Sequence, residues 1–230
     1  MLDRFIDRAE FCIFETKTLS KYIYDLIEEG EHQCLDFKFE VNDARKIAIS
    51  LVAFSNTRGG KLLIGVKDNG RIVGIKTEEE FYMLDLAASI FCKPEIILQY
   101  SRWNINGKIV LEVDVVPGRK KPYYAKNDSG KWMAYFRQED QNHLANIIQL
   151  NVWKNENRGG GILLKYSNNE STLLAYLREN GEISLSKFVS HAKINRRSAI
   201  NILSKLMIFK VIDILYREGE QLYVLYDKEK

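Results

Sequence analysis

The sequence predicts an α+β protein built in two parts. Three observations carry this expectation. Up to about residue 156, apolar residues recur at helical spacing and at strand spacing in turn. The run Gly159-Gly160-Gly161 then interrupts the chain, and consecutive glycines favour neither a helix nor a strand interior. Beyond it the pattern reads helix, helix, helix, hairpin. The expected division is a mixed-sheet domain over 1–156, a Gly-rich linker over 157–161 and a small domain over 162–230.

The elements of the first part follow in order. Leu19, Ile23, Leu26 and Ile27 form one face of a helix that Gly30 ends. Residues 35–41 alternate apolar and polar and predict a strand. Asn42 or Asp43 caps the next helix, with Ile47, Leu51, Val52 and Phe54 as its buried stripe. Arg58-Gly59-Gly60 turns the chain into a buried strand over 61–66. Asp68-Asn69-Gly70 then predicts a hairpin turn into a strand over 71–75. Thr77 and Glu80 form a capping box ahead of a helix carrying Phe81, Leu84, Ala88 and Phe91. Hairpins are expected at Asn106-Gly107 and at 127–130, and a last helix over about 142–153.

In the second part, helices are expected over 171–179, 185–191 and 195–208, then strands over 211–216 and 221–226 joined at Glu218-Gly219. Three short helices and a tight hairpin are the layout of a winged helix-turn-helix. Residues 162–230 carry 11 Lys and Arg against 8 Asp and Glu, which accounts for the whole net charge of +3. This basic balance suits a partner of negative charge, DNA or RNA. The third helix opens Asn195-Arg196-Arg197-Ser198. Arg196, Arg197, Asn201 and Lys205 fall mostly off its apolar stripe, where a recognition helix presents base-reading and phosphate-holding side chains. A solvated amphipathic face, in a module that contacts protein, would read the same way.

Composition excludes several classes. An apolar fraction of 46% with 28% charged residues allows a sizeable core and argues against disorder. Met1-Leu2-Asp3-Arg4 carries an acid early and leads into no signal-peptide core, and no apolar run reaches the roughly 18 residues of a membrane span. Cys12, Cys34 and Cys92 are odd in number and widely spaced. They predict neither a disulfide framework nor a zinc site, and the expected setting is cytoplasmic with no membrane partner. His32, His143 and His191 are scattered, and the three Trp residues are expected in the core.

Three separated motifs resemble a known family. Gly30-Glu31 followed by Asp36-Phe37-Lys38 looks like its opening motif. Residues 53–60, Ala-Phe-Ser-Asn-Thr-Arg-Gly-Gly, and 63–70, Leu-Ile-Gly-Val-Lys-Asp-Asn-Gly, look like its central signature, and Lys121-Pro122-Tyr123-Tyr124 fits further on. This is the Schlafen-related AlbA-like domain, and the resemblance spans residues 15–155. It implies nucleic-acid binding, with a winged helix often following in bacterial members. Some members are described as divergent ATPases, but the chain contains no GxxxxGK run followed by Ser or Thr.

The resemblance also implies an alternative, since some animal Schlafens cut transfer or ribosomal RNA with three acids. Those acids carry over to Glu31, Asp36 and Asp68, and Asp36 stands where the nucleases have Glu. From the residues themselves, Asp36 and Lys38 lie two apart on a strand and share a face. Three converging carboxylates would hold Mg²⁺ or Mn²⁺, with Lys38 neutralising the scissile phosphate. Equally, Asp36 and Lys38 read as an exposed strand pair, Asp68 as a turn residue and Glu31 as a helix-end acid. Asn56, Gly59 and Gly60 suit a tight helix-to-strand turn or the close approach of a phosphate. Arg119, Lys120 and Lys121 beside Tyr123 and Tyr124 suit single-stranded nucleic acid or a solvated loop.

The leading expectation is a DNA-binding transcriptional regulator without a cofactor, compatible with a homodimer. A metal-dependent endoribonuclease and a protein-interaction adaptor are the alternatives.

Overall fold

The computed structural model describes residues 17–157 and 167–227. The expected linker glycines therefore lie outside the described residues. The chain divides into two compact units, Met1–Leu144 and Ala145–Lys230.

In the first unit, α1 (Lys17–Glu29) is followed by β1 (Leu35–Lys38), α2 (Ala44–Asn56) and β2 (Gly60–Ile64). Asp43 caps α2, its carboxylate accepting from the Arg45 amide at 2.9 Å. β1 and β2 run parallel, Leu35 opposite Lys61 and Lys38 opposite Ile64, so α2 is the crossover that a parallel pair requires. Next come α3 (Glu79–Ile90), β3 (Cys92–Lys93), β4 (Leu98–Ile105) and β5 (Lys108–Val115). The unit closes with β6 (Tyr124–Lys126), β7 (Trp132–Met133), β8 (Tyr135–Gln138) and β9 (Gln141–Leu144).

The main sheet has the order β1-β2-β5-β4, with β5 antiparallel to both of its neighbours. Both faces are covered. Ile23 of α1 packs on Leu35, Phe37, Leu63 and Val110 on one side. Leu51 and Val52 of α2 and Leu84 of α3 pack on Leu62, Ile64 and Val113 on the other. Strand alternation therefore buries polar residues as well. Asp36, opposite Leu62, falls on the α2 face and is buried rather than exposed. A second, three-stranded sheet has the order β3-β6-β7, and β8 and β9 form a hairpin of their own.

In the second unit, α4 (Ile147–Glu156), α5 (Asn168–Asn180), β10 (Glu182–Ser184), α6 (Leu185–Ala192) and α7 (Arg196–Ile208) precede β11 (Ile212–Arg217) and β12 (Glu220–Leu225). β12 pairs antiparallel with both β10 and β11. Ser167 and Glu170 form a capping box on α5, and Asn195 caps α7 by accepting from the Ser198 amide at 2.8 Å. Ile148 of α4, fully buried, joins a core with Leu173, Phe188, Leu203 and Tyr223. Asn146 hydrogen-bonds Gln221 and, at 2.9 Å, the Tyr223 hydroxyl. The last helix of the expected first domain thus belongs to the second unit.

Two further expectations are corrected. Residues 71–75 form no strand beyond the single bridge of Val66 with Ile72. Gly65 and Gly74 both take positive φ, and the amides of Val73 and Gly74 converge on the Gly65 carbonyl at 2.8 and 2.9 Å, curling the chain out of a ladder. The expected helix over 142–153 begins instead at Ile147, because residues 141–144 pair with β8.

Candidate nucleic-acid interface

The three carried-over acids are placed unequally. Glu31 sits on the tight turn between α1 and β1, and its Oε1 accepts from the Phe37 amide at 2.8 Å. Asp36, 4% exposed, lies 2.7 Å from Lys38 Nζ, 3.5 Å from an Arg137 guanidinium nitrogen and 3.3 Å from Ser50 Oγ. Burial, and then a hydrogen bond with Asp36, push the Glu31 carboxyl above its usual range. Glu31 and Asp36 are therefore gathered, with Lys38 beside them.

Asp68 is not gathered with them in a metal-holding group. It stands exposed on a turn closed by the Gly70 amide donating to the Lys67 carbonyl at 2.8 Å. Among the described residues no group of three or more His, Cys, Asp or Glu side chains is placed to hold a metal ion.

Arg137, on β8, is the member that sequence reasoning missed. Its Nε donates to the His32 carbonyl at 3.0 Å, one terminal nitrogen to the Leu35 carbonyl at 3.0 Å and the other to Asn142 at 3.3 Å. The guanidinium carbon lies 4.9 Å from the Phe54 ring centroid. Nothing in Tyr135-Phe136-Arg137-Gln138 separates it from an ordinary surface arginine. A second buried acid, equally silent in the sequence, lies on the other face of the main sheet. Glu112 accepts from Tyr22 at 2.8 Å, Lys61 at 2.5 Å and Trp103 at 2.7 Å. Burial, with Glu112 adding to it, pushes the Tyr22 hydroxyl up to about 12.

The glycine motif is a turn. Gly59 has φ +76°, and a Cβ there would meet the Val115 carbonyl oxygen at 2.6 Å. Asn56 ends α2 by donating to the Tyr123 and Tyr135 carbonyls at 2.9 and 2.8 Å and accepting from the Tyr123 amide at 2.7 Å. It ties helix to strands. An open cleft of about 390 Å³ lies beside the turn, lined among others by His32, Arg58, Gly59, Gly60 and Lys61.

The basic candidates divide by exposure. Arg119 and Lys120 are exposed, whereas Lys121 turns inward and donates to the Thr57 carbonyl at 2.9 Å. In α7, Ala199, Ile202, Leu203 and Leu206 are buried, Arg197 and Asn201 are exposed on the opposite face, and Arg196 is exposed at the helix start beside the buried stripe. Lys205 is half-buried. Trp153 is buried as expected, but Trp132 of β7 is 39% exposed between Lys93 and Lys126.

Among the described residues no helix is long and apolar enough to cross a membrane. The sequence profile described as Schlafen, AlbA_2 matches residues 31–146. Among solved structures, the chain is similar to the DIP2311 protein of Corynebacterium diphtheriae, at 15% identity and a TM-score of 0.44 over 91% of this chain. It spans 38% of that protein's length. It is also similar to the N-terminal domain of a RecG-related protein from Nitrosomonas europaea, at 24% identity and a TM-score of 0.40, covering 50% of this chain and 87% of that one. No curated protein matches the chain.

Proposed function

The chain belongs to the Schlafen, AlbA_2 family, and from that premise we propose that it is a nucleic-acid-binding protein whose second unit is a winged helix-turn-helix that engages duplex DNA, as a transcriptional regulator does. The observation that carries this reading is the outward face of α7. Arg196, Arg197 and Asn201 are exposed over its first two turns, Arg197 and Asn201 opposite a stripe sunk in the core. A recognition helix meets the major groove with its N-terminal residues. Arginine there binds guanine bidentately or holds a phosphate, and asparagine pairs with adenine. The order α5, α6, α7, then the β11–β12 hairpin, supports the same reading, with the hairpin as the wing.

The test is fluorescence anisotropy of a labelled DNA duplex titrated with the chain at several salt concentrations. Replacing Arg196 and Arg197 by Ala weakens binding and flattens the log–log salt slope by roughly 0.9 for each phosphate no longer held. Unchanged affinity and slope would overturn the assignment of α7.

A further inference from the structure

We propose that the outer face of the β3-β6-β7 sheet is a stacking platform for single-stranded nucleic acid. The inference rests on the reading of the chain as a nucleic-acid-binding protein and adds a second site, in the other unit, with a different substrate class.

The face is set by strand register. Cys92 pairs with Ala125, and Ala125 with Met133. Cys92 and Ala125 are buried in the core with residues of α2 and α3. The alternate residues point the other way. Lys93 pairs with Tyr124, and Lys126 with Trp132, so these four side chains share the outer face. Lys93, Tyr124 and Trp132 line a shallow cavity of about 420 Å³, together with Pro94 next to Lys93. The composition of this face is two aromatic rings and two ammonium groups.

The geometry suits a base with its flanking phosphates. Both Lys93 Nζ and Lys126 Nζ lie 5.9 Å from the Trp132 ring centroid. That is the outer limit of cation–π contact, so both ammonium groups lie loosely over a ring that is still 39% exposed. The exposed part of the indole is apolar surface that a stacked ligand would take out of water. A base stacking on the indole covers it whatever the sequence, because every base has a π-face. The flanking lysines supply the charge that holds the backbone. An apolar peptide would leave both ammonium groups uncompensated. Duplex DNA, whose bases are stacked on one another, offers no ring to Trp132. Asp128, in the neighbouring turn, is engaged by Arg45 at 3.6 Å.

The test uses the full chain and a fluorescein-labelled oligothymidylate. The wild type binds it with quenching of indole emission. Trp132→Ala lowers affinity roughly five- to hundredfold, the range that one stacked base contributes. Trp132→Phe keeps a ring, and therefore most of the affinity, while abolishing the quenching. Lys93→Ala with Lys126→Ala flattens the salt dependence. Duplex affinity is untouched by Trp132→Ala, and single-strand affinity by the Arg196/Arg197 double substitution. Single-strand binding that survives Trp132→Ala, with wild-type quenching, overturns the platform. So does equal quenching by poly-glutamate, which would mark the face as a site for acidic polypeptide. Duplex binding without single-strand binding overturns the platform and leaves the α7 reading standing. Binding to neither removes both.

Discussion

Arg137 faces Asp36 from a different strand layer, 3.5 Å from its carboxylate, with both side chains almost wholly withdrawn from water. Removing one partner of a buried pair strands the other charge, which costs about 3–5 kcal/mol. Asp36→Asn keeps the shape and removes the charge, so it should lower the unfolding free energy by an amount of that order, read as a lower urea midpoint at unchanged slope. Asp68→Asn, on an exposed turn, should change stability by no more than about 0.5 kcal/mol. Equal effects of the two substitutions would show that Asp36 is not the buried anchor described above.

Glu31 predicts a pH dependence of opposite sign to that of an ordinary salt-bridged acid. Its carboxyl is raised above 4.5, by burial first and by its bond with Asp36 second. The folded chain therefore takes up this proton more readily than the unfolded chain does. Stability from this group is fully present below the unfolded value and is lost as pH rises through the folded one. Glu31→Gln retains an oxygen for the Phe37 amide and has no charge to bury. It should be more stable than the wild type at neutral pH, the gap closing as pH falls toward 4.5. Urea titrations of both proteins at a series of pH values measure this.

The placement of α4 predicts where the second unit can be cut. Residues 145–230 should unfold cooperatively when produced alone. Residues 157–230, without α4, lose the burial of Ile148, about 1.5–3 kcal/mol for that side chain alone, and the bonds of Asn146 to Gln221 and Tyr223. Calorimetry should show a sharp transition for the longer piece and a weakened or absent one for the shorter. A sharp, equally stable transition for 157–230 would contradict the shared core.

Asn56 predicts an asymmetry between isosteres. Asp in its place can still accept from the Tyr123 amide but has no hydrogens for the Tyr123 and Tyr135 carbonyls. A buried group left unpaired costs about 1–3 kcal/mol. Asn56→Asp should lower the melting temperature markedly at neutral pH and less so in acid, where the protonated acid regains one donor.

Much of this architecture is legible in the sequence, and the failures have physical causes. The cap at Asn42 or Asp43 locates α2, because an Asx side chain at a helix start satisfies local amides whatever packs nearby, whereas α5 begins at Asn168 under a Ser167 cap, three residues ahead of the expected start. The turns at 106–107 and 218–219 are readable for the same local reason. β9 and β10 are not. Gln141-Asn142-His143-Leu144 and Glu182-Ile183-Ser184 are short and polar, and only pairing with β8 and β12 makes strands of them. The strand expected over 71–75 fails because Gly65 and Gly74 bend the chain. At the site, period-two spacing on β1 makes Asp36 and Lys38 neighbours. Arg137 is invisible, because its partners come from β1, β9, α2 and the turn before β1. Lys121 reads like the two exposed bases before it, although its amine is engaged by the Thr57 carbonyl. Trp132 departs from the expected core position, since composition alone cannot tell which face of a two-residue strand meets water.

The charged cluster around β1 has a consequence for how the molecule avoids its own copies. β1 is an outer strand of the main sheet, and an outer strand normally offers a row of open amides and carbonyls to any passing chain. Here the Leu35 amide donates to the His32 carbonyl and the Leu35 carbonyl accepts from Arg137. The Phe37 amide donates to Glu31, and the Phe37 carbonyl accepts from Lys38 Nζ at 2.8 Å. Each of these four groups already has a partner, three of them a charged side chain from this one cluster. This border of the sheet is thereby sealed against lateral growth, and a foreign strand would have to displace charged side chains before it could form its first rung there.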